Sequence, residues 1–88
     1  MHARAWGGCS GVTALSANLV GRNLRGALTG VNFTGAALNN ATMSNVNVTN
    51  ANFANANLND ANLSGARRSG VIWANTTCPA NVVTSSPC

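Results

Sequence analysis

The chain alternates between small, polar and large apolar residues with a period of five residues. From Gly30 to Asn75 every fifth residue is Gly, Asn or Asp, which are residue types that tolerate left-handed or turn backbone geometry. A small residue follows each of these positions, as Val31 follows Gly30, and a larger apolar residue comes two positions later. The larger residues are Phe33, Leu38, Met43, Val48, Phe53, Leu58, Leu63, Trp73 and Cys78, with Arg68 as the exception.

A period of five fits neither regular secondary structure. On an α-helix the apolar positions would spiral over every face, and on a flat strand they would alternate between the two sides. Asn and Gly are also poor helix formers. The pattern therefore predicts a chain that bends once in every five residues and keeps its apolar side chains on one inner axis, which is a solenoid.

The aromatic residues indicate how many five-residue units close one coil. Phe33, Phe53 and Trp73 lie four units apart along the chain. In a four-sided coil these rings would stack on one inner face, with a rise of about 4.8 Å per coil. The other predicted core columns are Leu38 with Leu58 and Cys78, and Met43 with Leu63.

These repeats resemble the pentapeptide-repeat family, whose pattern is Ala-(Asp/Asn)-Leu-X-X. Residues 51–65 contain the consecutive units ANFAN, ANLND and ANLSG. The resemblance implies an all-β fold, a short right-handed quadrilateral β-helix of about three to three and a half coils, with the small and the large residues both inside. We expect an N-terminal tail or cap at residues 1–11, the β-helix at 12–78 and a C-terminal capping tail at 79–88.

The C-terminal segment carries a second resemblance. Residues 73–79 read WANTTCP, and a similar segment closes the helix in certain bacterial pentapeptide-repeat proteins. This resemblance suggests export from a bacterial cell to a secreted or extracytoplasmic location. Residues 1–8 nevertheless lack the apolar run of a signal peptide, and no stretch of the chain approaches the length of a membrane span.

The repeat is interrupted near its start. The step from Leu24 to Leu28 is four residues instead of five, so one corner must be tightened, and Gly26 is the residue that could absorb the change. Arg22 falls on an inward small-residue position, where an unpaired buried guanidinium would cost several kcal/mol. We expect the first coil to be distorted, with Arg22 escaping at its open end.

A second break places Arg67 and Arg68 where the pattern has Asn and Leu. Arg68 lies over Val48 in the last coil, where its side chain can turn outward. Two interpretations remain open at this stage. The arginines are a binding feature, or they reflect local drift in a terminal coil that nothing covers.

The three cysteines form an odd count, so at least one is unpaired, pairs between chains, or pairs with a missing segment. Cys78 and Cys88 are the favoured pair, because the loop across Pro79 can close. Cys9 would lie about three coils, or roughly 14 Å, from Cys78, which exceeds the reach of a disulfide. Alternatively, Cys78 fills an inward site as a free thiol. A bridge requires an oxidising compartment.

Composition excludes most enzymes. The chain has fifteen Asn, fifteen Ala and six charged residues, with Asp60 as its single acid and His2 as its single imidazole. Paired-carboxylate catalysis, a Ser-His-Asp triad and a His/carboxylate metal site all need residues that this chain lacks. The cysteines are also too scattered for four metal ligands. We therefore expect no enzyme, no metal and no cofactor.

The charge narrows the candidate partners. Net charge is +4, and the middle of the repeat is neutral with outward-facing Asn residues. Some pentapeptide-repeat proteins resemble duplex DNA and inhibit topoisomerases, but that mimicry needs rows of acidic residues, so the basic charge disfavours it. The candidate anion-binding residues are Arg22, Arg25, Arg67 and Arg68. They lie in pairs at opposite ends of a short rod, which makes nucleic-acid binding an unfavoured hypothesis.

The sequence thus predicts a non-catalytic module that acts as a structural scaffold or a protein-interaction surface. End-to-end self-association is a further hypothesis, because the ends of the coil offer unpaired strand edges. The alternative function is binding of anionic polymers, either nucleic acid or a cell-surface polymer, through the terminal arginines.

Overall fold

The backbone winds into a four-sided coil in the computed structural model, which describes residues 11, 14–24 and 26–88. Each side carries an isolated parallel β-bridge to the same side of the next coil. From Ala27 onwards the bridge partners are 20 residues apart, as in Ala27–Asn47 and Asn32–Asn52. Four five-residue units therefore close one coil. Ala14, Phe33, Phe53 and Trp73 mark successive returns to one side, so the described coil makes just over three turns.

Longer strands in the described residues are limited to β1 (Thr76–Thr77) and β2 (Val83–Thr84), which pair antiparallel. Elsewhere a turn interrupts the backbone after each bridging residue, so no side of the coil is long enough for a regular strand. The described residues contain no helix. The fold is an all-β solenoid held by parallel bridges between coils.

The corners of the coil explain the five-residue period. All ten Gly, Asn and Asp positions from Gly30 to Asn75 have positive φ, between 51° and 70°. At a typical corner the Ala36 N–H donates to the Phe33 carbonyl at 2.9 Å. The positive φ then falls on the third residue of the turn, as a type II turn requires. Only Gly, Asn and Asp adopt this conformation at little cost, so they recur at every corner.

The core consists of two layers of stacked side chains along the inner axis. Phe33 and Phe53 lie parallel, with ring centroids 5.2 Å apart and an interplanar angle of 2°. Trp73 stacks on Phe53 at 5.6 Å and 20°. The large residues of the other columns that are completely buried are Leu24, Leu28, Leu38, Met43, Val48 and Leu58. The residue after each corner from Gly30 to Asp60, such as Ala51, forms the small layer and is buried as well.

The first coil is one residue shorter than the others. Its bridges, Asn18–Ala37 and Asn23–Thr42, join residues 19 apart, and the spacing becomes 20 at Ala27. In a regular corner the positive-φ residue and the small residue are consecutive, but here Gly26, with φ of 87°, serves at both positions. Glycine suits this double role because it has no side chain to place.

Backbone pairing extends towards the N-terminus of the predicted β-helix. The Gly11 N–H donates to the Thr29 carbonyl at 2.8 Å, so Gly11 already pairs with the coil above it. Two sequence-based expectations, on Cys9 and on Arg25, fall on residues that lie outside the described part of the chain.

Candidate interaction surface

Asparagine side chains on the outer surface fold back onto their own backbone. In the regular unit, the N–H after each inward residue is bonded neither by the neighbouring coils nor by the turn. The side-chain oxygen of the Asn before the inward residue accepts it, for example from Ala54 to Asn52 at 2.9 Å. The other residues that do this are Asn18, Asn32, Asn47, Asn57 and Asn62. These amides satisfy the backbone, which leaves the middle coils with a neutral, self-contained surface.

In the last coil, the N–H group that follows the inward residue is satisfied in a different way. Ile72 stands where the pattern has Asn, and the Ala74 N–H donates instead to the Thr76 hydroxyl at 3.1 Å. Thr76 is completely buried, and its hydroxyl donates in turn to the Phe53 carbonyl at 2.8 Å. At the next unit Pro79 occupies the position and has no N–H to satisfy.

The C-terminal tail caps part of the last coil. β2 pairs with β1, and the Asn75 N–H donates to the Ser85 hydroxyl at 3.3 Å. A disulfide joins Cys78 to Cys88, with Cα atoms 5.5 Å apart, and Cys88 packs against the edge of the core. The disulfide therefore fastens the end of the tail to the side of the last coil that contains Thr76, Thr77 and Cys78.

Another side of the last coil carries an uncapped edge, which we call the open rim and define as residues Gly65–Gly70. In the coil beneath, the N–H groups of Asn45, Val48 and Asn50 donate upwards at 2.8–2.9 Å, and the Val46 carbonyl accepts from above at 2.8 Å. The equivalent groups of the rim are the N–H groups of Gly65, Arg68 and Gly70 and the carbonyl of Ala66. Within the described part of the chain none of these four has a partner.

Both arginines of the rim are exposed. Arg68 stands in the column above Leu28 and Val48, which are completely buried, yet it is itself exposed. Arg67 precedes it and pairs with the coil below through the bridge to Asn47. Neither guanidinium has an ion pair with a described residue. Arg22 is also exposed, but it lies in the first coil, so the structure does not bring it together with Arg67 and Arg68.

Large exposed apolar side chains occur only towards the ends of the described coil. Leu15 and Val20 are 56% and 43% exposed and belong to the first coil. Ile72, Val82 and Val83 are 50%, 57% and 63% exposed and belong to the last coil and its tail. Residues 31–63, by contrast, bury every large apolar side chain they have. The ends thus differ from the middle in both hydrogen bonding and apolar exposure.

The described residues contain few side chains that could bind a metal ion or take part in catalysis. They contain no group of three His, Cys, Asp or Glu residues that would hold a metal ion. Asp60 is their one acid, both of their cysteines are bonded to each other, and His2 lies outside them. Within the same ranges, no helix is long and apolar enough to cross a membrane.

The repeats themselves decide the family. The family model for pentapeptide repeats matches residues 9–47 and 28–65, with eight copies of the repeat. The chain belongs to the pentapeptide-repeat family. Pentapeptide-repeat proteins are right-handed quadrilateral β-helices, and they are generally structural or interaction modules without catalytic activity.

Comparison with solved structures gives a similarity to HetL, a pentapeptide-repeat protein involved in the regulation of heterocyst differentiation in the cyanobacterium Nostoc sp. strain PCC 7120. The two chains are 19% identical, the TM-score is 0.40, and the alignment covers 82% of this chain and 43% of HetL. The present chain therefore spans less than half of the length of that protein. No curated protein matches the chain.

Sequence reasoning missed two parts of this pentapeptide-repeat surface. It placed the Asn residues outside but did not assign their oxygens to the backbone. A signal was available, because Asn side chains commonly bond the N–H two residues ahead. It also did not locate the open rim, since this depends on which sides the tail covers, and that is set by the β1–β2 pairing rather than by the repeat.

Proposed function

We propose that this chain is a non-catalytic pentapeptide-repeat module that binds a partner protein through an end of its coil, with the side faces acting as an inert scaffold. The observation that supports this proposal is the distribution of large exposed apolar side chains, which among the described residues lie only towards the two ends. Exposed apolar residues next to unpaired backbone edges are typical of protein-interaction sites.

The middle coils argue against a binding role for the side faces. The side-chain oxygens of Asn32, Asn47 and Asn52 accept backbone N–H groups. Thr34 and Thr49 donate their hydroxyls to the first two of these oxygens. A partner that bonded these oxygens would compete with the backbone. The sides therefore serve to hold the ends at a fixed separation.

Site-specific crosslinking tests this proposal. A photo-reactive amino acid replaces Ile72 at the C-terminal end or, as a matched control, Asn57 on a side face, in the cells that make the protein. Discrete protein adducts from position 72 and none from position 57 are the expected result. Adducts at neither position would favour an inert scaffold, and equal adducts at both would show that the ends are not special.

Binding of anionic polymers is the alternative function, favoured by the adjacent exposed side chains of Arg67 and Arg68. Affinity for an oligonucleotide or an anionic polysaccharide would then fall steeply with salt and with the double change Arg67→Ala and Arg68→Ala. Two adjacent cations form a small site for a polymer, and Arg22 lies two coils away from them. The protein-binding proposal is therefore preferred.

We also propose an oxidising, extracytoplasmic compartment for the module. The Cys78–Cys88 disulfide supports this location, because such bonds persist outside the reducing cytosol.

A further inference from the structure

We infer that the open rim, Gly65–Gly70, binds an extended acidic segment of a partner protein as an added β-strand. This inference rests on the proposed function and specifies which end of the coil binds and what chemistry the partner carries. The rim consists of half-exposed and exposed residues, so a segment can reach it without displacing the tail.

The coil beneath the rim shows how a strand fits there. Residues 65–70 lie over residues 45–50. Four hydrogen bonds join the two coils there, from Asn45 to Ser64, from Val48 to Arg67, from Asn50 to Ser69 and from Arg67 to Val46. The rim repeats this backbone conformation one coil higher, with φ of 70° at Gly65 and 68° at Gly70. An incoming parallel segment of about five residues would therefore find the same set of donors and acceptor, already oriented.

The charge of the rim selects an acidic segment. On the edge that faces away from the coil beneath, the rim presents three N–H donors, from Gly65, Arg68 and Gly70, and one carbonyl, from Ala66, and none of the four has a partner among the described residues. The guanidinium groups of Arg67 and Arg68 add two positive charges at the same place. In a parallel added strand, the residue over Arg67 faces outward beside it, which is the arrangement in which opposite charges form a favourable cross-strand pair.

A second copy of this chain is a poor occupant of the same rim. Each copy carries a net charge of +4, and its one acid, Asp60, is not part of the rim. Two rims placed edge to edge would bring four arginines together, and like charges in that position are destabilising. The occupant is therefore a different protein that supplies carboxylates.

Peptide binding followed by nuclear magnetic resonance tests the inference on the full chain. The probe is a short capped peptide with Glu-Asp at its centre, flanked by Val, Thr and Ser. We expect the amide signals of Gly65, Arg68 and Gly70 to shift on titration, while that of Asn52 on a side face stays in place. Shifts spread over the side faces, or no shifts at all, would overturn the inference.

Two changes to the peptide separate the contributions of charge and backbone. Replacing Glu-Asp by Gln-Asn is expected to weaken binding about tenfold, as for two modest ion pairs. N-methylation of the Glu amide, which faces the Ala66 carbonyl, is expected to weaken binding about fivefold, as for one lost hydrogen bond. If the methylated peptide binds unchanged and a single-stranded oligonucleotide binds more tightly, the rim is a polymer site and the inference is wrong.

Protein variants provide the matched control. Arg67→Gln with Arg68→Gln is expected to weaken the acidic peptide about tenfold, whereas Arg22→Gln at the other end of the coil changes its affinity by less than about twofold. If Arg22→Gln weakens peptide binding as much as the double variant does, binding depends only on the net charge of the protein, and the inference is contradicted. If sedimentation shows that the protein is a dimer and that the peptide dissociates it, the rim binds a second copy of the chain. That result would also contradict the inference. If the peptide fails while crosslinks from position 72 persist, the proposed function stands and this inference alone falls.

Discussion

The middle coils and the last coil are built on the same repeat but meet different physical demands. In the middle coils an inward side chain lies between side chains of the coils above and below, as Leu38 is completely buried between Leu19 and Leu58. The last coil has a neighbour on one side only, so Leu63 remains 7% exposed above Met43. At the end of a solenoid, the side chains and backbone groups of the repeat therefore lack the neighbouring coil that would cover them.

The difference appears in the residues that depart from the pattern. In the middle, Gly, Asn and Asp form the corners, and wherever Asn precedes the inward residue its oxygen accepts the N–H that follows that residue. The last coil instead has Ile72 in place of Asn, a buried Thr76 hydroxyl and a disulfide-linked tail. The tail covers the side that contains Thr76, Thr77 and Cys78 and leaves the open rim uncovered. The departures from the repeat therefore mark the places where the coil ends and where binding is proposed.

Matched Leu→Ala changes give the largest expected contrast. Leu38→Ala leaves a cavity closed on both sides and is expected to lower the free energy of unfolding by about 4 kcal/mol. Leu63→Ala is expected to cost about 2 kcal/mol, because the last coil can relax towards solvent. Urea unfolding of both variants checks this. Equal losses would mean that the last coil is packed as rigidly as the middle.

Removing the disulfide tests the tail as a cap. Cys78→Ala with Cys88→Ala is expected to lower the free energy of unfolding by about 2–3 kcal/mol, as for a closed loop of about ten residues. Hydrogen exchange should show faster exchange at Asn75 and Cys78, whose N–H groups bond the tail, and unchanged protection at Phe53. Uniform loss of protection would indicate that the bridge supports the whole coil and not only its end.

Corner glycines allow a finer comparison within the backbone. Gly30→Ala and Gly70→Ala both place a side chain at positive φ, and each should cost about 1 kcal/mol for that reason. At Gly70 the new Cβ would also meet the Asn50 side-chain oxygen, whereas at Gly30 the space is open. Gly70→Ala is therefore expected to be the more destabilising by about 0.5–1 kcal/mol.

A double-mutant cycle isolates this clash. In an Asn50→Gly background the cost of Gly70→Ala should fall to that of Gly30→Ala, as measured by thermal unfolding. An unchanged cost would show that the Asn50 oxygen is not the obstacle.

Restoring the repeat at Arg68 is expected to have the smallest effect. Arg68→Leu would extend the column of Leu28 and Val48 and bury apolar area, so stability should rise by less than about 1 kcal/mol. Denaturant unfolding measures this change. A loss of stability would mean that Arg68 has a structural role in the last coil, which its exposure does not suggest.

The architecture was accessible from the sequence because a single physical rule repeats along the chain. Positive φ at every fifth residue selects Gly, Asn or Asp, and the twenty-residue spacing of Phe33, Phe53 and Trp73 indicates four units per coil. The four-residue step from Leu24 to Leu28 likewise indicates the short corner at Gly26. A local backbone requirement of this kind directly restricts which residue types occur at each position of the repeat.

The candidate surface was less accessible because it depends on how non-repeating residues meet. The antiparallel pairing of Thr76–Thr77 with Val83–Thr84 determines which sides the tail covers, and two strands of two residues carry little pattern. Arg67 and Arg68 could be recognised as exceptions, but their place beside unpaired N–H groups follows from the uncovered edge rather than from their identity.

The short corner at Gly26 also has a consequence for how such a chain can change length. The coil is one residue shorter there, yet the columns of inward side chains stay aligned. The reason is that Gly26 takes both the corner position and the small-residue position. A single-residue deletion in this protein is thus an event local to one corner, and the coils that follow keep their register. Insertions and deletions in a lineage of such chains can then accumulate at glycine corners without the whole repeat having to be rebuilt.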